Sequence, residues 1–129
     1  MAPPSIRTIR NCRLEGAGGE WDAVRVPRSV GLDALAILGG RSGAVLEDPH
    51  AAALYWFIAP GSREDWDVPG TRILAEDAHL VIPPHRRTQG PGPHWRVCPG
   101  DDEWVTEAAA LQAALEDAAG PRIGAEHFG

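Results

Sequence analysis

Lysine is absent from this chain of 129 residues, and all 12 basic residues are arginine. That absence excludes a Walker-type phosphate lysine, a Schiff-base lysine and a Ser-Lys dyad. Cysteine occurs only as Cys12 and Cys98, with no C-x-x-C pair, which excludes a zinc ribbon and a thioredoxin-like site. Two reduced thiols are expected, with a Cys12–Cys98 disulfide as the alternative. Asparagine occurs only as Asn11; with abundant alanine, glycine, arginine and proline, this is the bias of GC-rich coding. None of Ser5, Ser29, Ser42 and Ser62 lies in G-x-S-x-G. None of His50, His79, His85, His94 and His127 shows H-x-x-x-H spacing. The longest uncharged apolar run, Ala51–Pro60, is about half of the ~20 residues a membrane helix needs. Met1–Arg10 carries no signal-type apolar core. The expectation is a soluble cytoplasmic protein without membrane contact.

What is present fits one globular domain. Hydrophobic residues make up 43% of the chain, too many for a disordered one. Eighteen acidic residues give a net charge of -6 with neutral histidines, which disfavours a general electrostatic grip on nucleic acid. The chain divides into a loose segment over 1–20, a single domain over 21–120 and a tail over 121–129. Within the first segment Ile6–Ile9 reads as a short edge strand.

Val24 and Val26 alternate with Ala23 and Arg25 in a strand ended by Pro27. Ser29 is expected to cap a helix to Leu38, with Val30, Ala34, Leu35 and Leu38 on one face and Gly39-Gly40 as its stop. Gly31 inside it costs roughly 1 kcal/mol relative to alanine. Gly43–Glu47 is a short strand. The unalternating run Ala52–Ala59 reads as a central strand covered on both faces. Pro69-Gly70 suits a type II turn. Thr71–Ala75 and His79–Ile82 read as strands around Glu76-Asp77, and His94–Cys98 as another. Thr106 is expected to cap a helix whose seam is Ala108, Leu111, Leu115 and Ala118, stopped by Gly120-Pro121. The sum is α+β: a mostly antiparallel sheet of about five strands with two helices, the second C-terminal.

The strand His94–Cys98 and the loop before it carry the most chemistry. His85, Arg86, Arg87, His94 and Arg96 form one cationic island without a carboxylate between residues 85 and 98. Forked guanidiniums in a Gly/Pro-shaped loop suit phosphate or carboxylate. The bland alternative is a solvated hairpin in an arginine-biased chain. Strict period two puts His94, Arg96 and Cys98 on one face, Trp95 and Val97 on the other. His94 and Cys98 then stand about 13 Å apart, too far for a dyad.

Glu47, Asp48, His50 and His79 are the runner-up set, for a divalent metal. Adjacent strand residues diverge, so Glu47 and Asp48 do not converge naturally, and Asp48-Pro49 is an ordinary turn initiator. Trp66 and Trp104 lie in acidic stretches. They read as lids over the core or, if exposed, as a surface for a basic protein partner.

The runs Leu54-Tyr55-Trp56-Phe57-Ile58-Ala59-Pro60, Leu80-Val81-Ile82-Pro83-Pro84 and Gly90-Pro91-Gly92-Pro93-His94-Trp95-Arg96, followed by a closing helix, resemble the second half of actinobacterial proteins related to the bifunctional DNA primase–polymerase N-terminal domain. The resemblance covers about half of the chain. It implies two-metal phosphoryl transfer through a D-x-D pair and a histidine, but only the adjacent Glu47-Asp48 stands here. What it implies is therefore a reduced, non-catalytic relative. The expectation is a binding or regulatory module without a cofactor, meeting a nucleotide or small anion through the arginine hairpin. The alternatives are a metal-dependent nucleotide- or phosphoester-handling enzyme and a protein-interaction module using Trp66 and Trp104.

Overall fold

The computed structural model describes residues 12–62, 66–75, 78–100 and 104–128, without the side chains of Arg13 and of 121–128. The expected strand over Ile6–Ile9 lies outside the described residues. Seven strands and two helices follow in order: β1 (Arg13–Gly16), β2 (Asp22–Pro27), α1 (Arg28–Leu38), β3 (Val45–Asp48), β4 (Ala53–Ile58), β5 (Arg72–Leu74), β6 (His79–Ile82), β7 (His94–Val97) and α2 (Ala108–Phe128). The class is α+β. A five-stranded sheet runs in the order β5-β2-β4-β3-β7, and β1 pairs with β6 in a separate ribbon. Every strand pair is antiparallel.

β4 is the central strand, and all six of its residues are buried. Its side chains divide between two cores because strand neighbours point to opposite faces. Leu54, Trp56 and Ile58 join Val24, Val26 and Val45 under the helices, against Ala34 and Leu38 of α1 and Leu111, Ala114, Leu115 and Ala118 of α2. Tyr55 and Phe57 join Ala23, Leu46 and Trp95 on the other face, where Leu80 and Ile82 of β6 cover them. The absence of alternation in this segment thus reflects burial from both sides.

Several local expectations change on contact with the rest of the chain. Ser29 does not cap α1: Pro27, the last residue of β2, occupies the cap position without a side-chain hydrogen bond. The chain passes from strand to helix directly, and the Arg28 N–H donates to the Ala52 carbonyl instead. Thr106 does not serve α2; its hydroxyl accepts the Gly43 N–H at 2.8 Å and its own N–H donates to Phe57. β5 and β6 do not form a hairpin, since β5 adds to β2 and β6 pairs with β1. α2 does not stop at Gly120-Pro121 but continues to Phe128, although the proline removes one N–H donor. Other signals stand as read. Gly39 ends α1 at φ 54, and Gly70 at φ 83 closes a turn bonded from Thr71 N to Val68 O.

Gly31 has a packing reason. A Cβ there would stand 2.8 Å from Leu54 Cδ1 and 3.1 Å from Leu54 Cγ, so the missing side chain lets α1 sit on β4. Gly31→Ala should therefore destabilise the protein by about 1 kcal/mol, because overpacking outweighs the gain in helix propensity. Urea unfolding measures it, and a more stable variant would show that Leu54 yields freely.

Candidate anion-binding site

The arginine hairpin does not form one site. Its loop folds back over Trp95, whose indole N–H donates to the carbonyls of Pro83 and Pro84 and whose backbone N–H donates to Arg87. His85 stacks edge-on against Trp104, with ring centroids 5.4 Å apart. Arg87 donates to the Cys12 sulfur at 3.4 Å, and Arg86 is exposed on the turn. These three residues belong to the loop over the second core. His94 and Arg96 instead meet on the helix-facing side, where both approach Glu47.

His94 and Arg96 share a face of β7 as period two requires, and a β-bulge then displaces Val97. Val45 lies opposite Val97 and Leu46 opposite Trp95, so Arg96 is an extra residue in β7. A bulge breaks strict alternation and re-aims a side chain. Trp95 consequently packs in the second core and Val97 against the first, not on one common face as period two requires. His94, opposite Glu47, and the bulged Arg96 both reach the same carboxylate.

Glu47 is 4% exposed and stands at the centre of two arginines and a histidine. Arg28, the first residue of α1, donates its Nε–H to Oε2 at 2.6 Å. Arg96 Nε and His94 Nε2 each lie 3.4 Å from Oε1. Those two contacts meet the distance of an ion pair but not the geometry of a hydrogen bond, and Oε1 is a buried acceptor without a hydrogen-bonded donor among the described residues. His94 Nδ1 faces the Gly92 carbonyl at 3.0 Å. A carbonyl can only accept, so the proton of that contact belongs to the ring. Burial pushes the Glu47 carboxyl up, but the Arg28 hydrogen bond and the charges of Arg28, Arg96 and His94 prevail and hold it below its ordinary value.

One carboxylate thus faces two permanent guanidinium charges and an imidazole. Arg28 and Arg96 both engage Glu47 through Nε, and their terminal nitrogens make no hydrogen bond among the described residues. Their side chains are 46% and 36% exposed, so both arginines meet solvent. Sequence reasoning missed Arg28 altogether. It looks like any residue at a helix start, and nothing local signals a partner 19 positions away.

The runner-up metal set does not gather. Glu47 faces the helices, while Asp48 points to the other side and accepts the His50 N–H in a tight turn at 3.1 Å. His79, on the separate ribbon, shares a cavity of about 160 Å³ with Asp48 and Tyr55. Among the described residues no three His, Cys, Asp or Glu side chains come close enough to hold a metal ion. Trp66 and Trp104 are both partly buried lids. Trp66 packs on the helix-side core and donates to Thr71 at 2.9 Å, and Trp104 packs edge-on against Phe57 and Trp95. Cys12 and Cys98 are free thiols, the first buried and the second exposed.

No family model matches the chain, and neither the curated proteins nor the solved structures contain a match. No helix among the described residues is long and apolar enough to cross a membrane.

Proposed function

We propose that the protein is a small anion-binding module, and that Arg28 and Arg96 grip a phosphate or carboxylate group above Glu47. One observation carries the reading: a single buried carboxylate holds Arg28 by a hydrogen bond and Arg96 by an ion-pair contact, both at Nε, and leaves the terminal N–H forks of both unused. Such forks match the oxygens of phosphate and carboxylate in bidentate fashion. Glu47 acts as a positioning residue, because arginines held in place lose less side-chain freedom when an anion arrives. The local excess of positive charge also lies in a chain of net charge -6, so it is a feature of this site and not of the whole surface. The resemblance to primase–polymerase domains supports a nucleotide phosphate as the anion, within a binding or regulatory role.

The test is calorimetric titration of the intact protein with AMP and with inorganic phosphate. Arg28→Gln with Arg96→Gln should weaken binding at least tenfold, the scale of losing charge-assisted hydrogen bonds. Arg86→Gln, on the separate loop, should leave it unchanged. Undiminished binding in the double variant would overturn the proposal, as would an absence of binding to the wild type.

A further inference from the structure

A second pair of arginines stands on the opposite face of the sheet. In the register of β2 and β5, Arg25 lies directly across from Arg72. Like charges at directly opposed positions of an antiparallel pair destabilise it. Neither side chain is ion-paired with a carboxylate among the described residues. Both line one cleft of about 230 Å³ whose remaining wall includes Pro27, Ala51, Ala52 and Ala53.

The third strand completes the row. Tyr55 of β4 is the cross-strand partner of Arg25. Tyr55 is itself buried and lines the separate cavity of Asp48 and His79, so it backs Arg25 without being part of the cleft wall. Burial raises the Tyr55 hydroxyl, Arg25 draws it down and Asp48 pushes it up again; the net direction is upward, which keeps the proton on at neutral pH. Arg72 and Arg25 therefore set two guanidiniums side by side across β5 and β2, with the buried, protonated Tyr55 next to Arg25 on β4.

We propose that this cleft binds short aliphatic carboxylates, with the carboxylate on Arg25 and Arg72 and the hydrocarbon body on the proline and alanine wall. Its volume sets the size of the ligand. Pockets for drug-sized molecules run from about 300 Å³ upward, so a nucleotide is too large and a few-carbon acid is suitable. The apolar wall favours a carboxylate with a hydrocarbon body over a bare, fully hydrated ion. An anion between the arginines would also remove the repulsion that the register imposes. This inference does not rest on the Arg28–Arg96 grip, which lies on the other face of the sheet.

The experiment is a heteronuclear NMR titration of the full chain with butyrate, succinate and inorganic phosphate. The two carboxylates should shift amides of β2, β5 and residues 51–53 saturably, and more tightly than phosphate does. Arg25→Gln with Arg72→Gln should weaken that binding at least tenfold. Arg28→Gln with Arg96→Gln should leave it intact, which separates this cleft from the first site. The Arg72→Gln variant without ligand should melt no lower than the wild type, because it relieves a like-charge contact. Shifts confined to β7 and the start of α1, phosphate binding tighter than either acid, or unaltered binding in the Arg25/Arg72 variant would each overturn the proposal.

Discussion

Gly43→Ala is expected to destabilise the protein by about 3 kcal/mol, the range of severe steric and hydrogen-bond losses. A Cβ at this position would stand 2.7 Å from the carbonyl oxygens of both Trp104 and Val105. Neither obstacle is the end of a flexible side chain, so relief requires moving backbone. That backbone is itself fixed. Ala44 N donates to Trp104 O, Gly43 N donates to the Thr106 hydroxyl, and Thr106 N donates to Phe57 O in the central strand. A shift of 104–106 would break some of these bonds and loosen the approach to α2. Urea unfolding followed by tryptophan fluorescence measures the loss. A variant within about 0.5 kcal/mol of wild type, the usual span of benign surface changes, would show that this crossing has slack.

Glu47→Gln should cost about 2 kcal/mol at pH 7, less than the 3–5 kcal/mol for breaking a fully buried ion pair, because Arg28 and Arg96 remain partly hydrated. The change keeps the size of the side chain and removes the charge that opposes two guanidiniums beside a histidine. Its pH dependence has a definite sign. The folded carboxyl titrates below its ordinary value of 4.5, so above that value Glu47 is ionised in the folded and unfolded chains and its contribution is complete. As pH falls below 4.5 the unfolded chain takes up the proton first, and the contribution drains away until the folded carboxyl is protonated too. The gap between wild type and Glu47→Gln should therefore narrow steadily on acidification through that window. Chemical unfolding at several pH values from neutral downward tests this; a gap independent of pH would mean that shape, and not charge, sets the cost.

The elements that the sequence showed clearly are those whose signal is local. The apolar run of β4, the alternation of β2, the glycine stop of α1, the Pro69-Gly70 turn and the seam of α2 all depend on residues within a few positions of one another. The α+β class followed from their sum. That His94 and Arg96 share a face was equally legible, since both lie on one short strand.

What period and composition determined by themselves was which segments are strands or helices and which face of each is apolar, except for β1, which lies in the segment read as loose. Only the tertiary structure decided how those segments pair. It added β5 to β2 rather than to β6, placed Arg25 opposite Arg72, and carried Arg28 to a carboxylate on β3. It also introduced the bulge that parted Trp95 from Val97, and it brought Arg96 to 3.4 Å from Glu47. The physical reason is one of range. Backbone preference and hydrophobic periodicity act over a turn or a strand. Registers, bulges and ion pairs are fixed by how two cores on either side of one sheet fill together, and no short stretch of this chain holds that information.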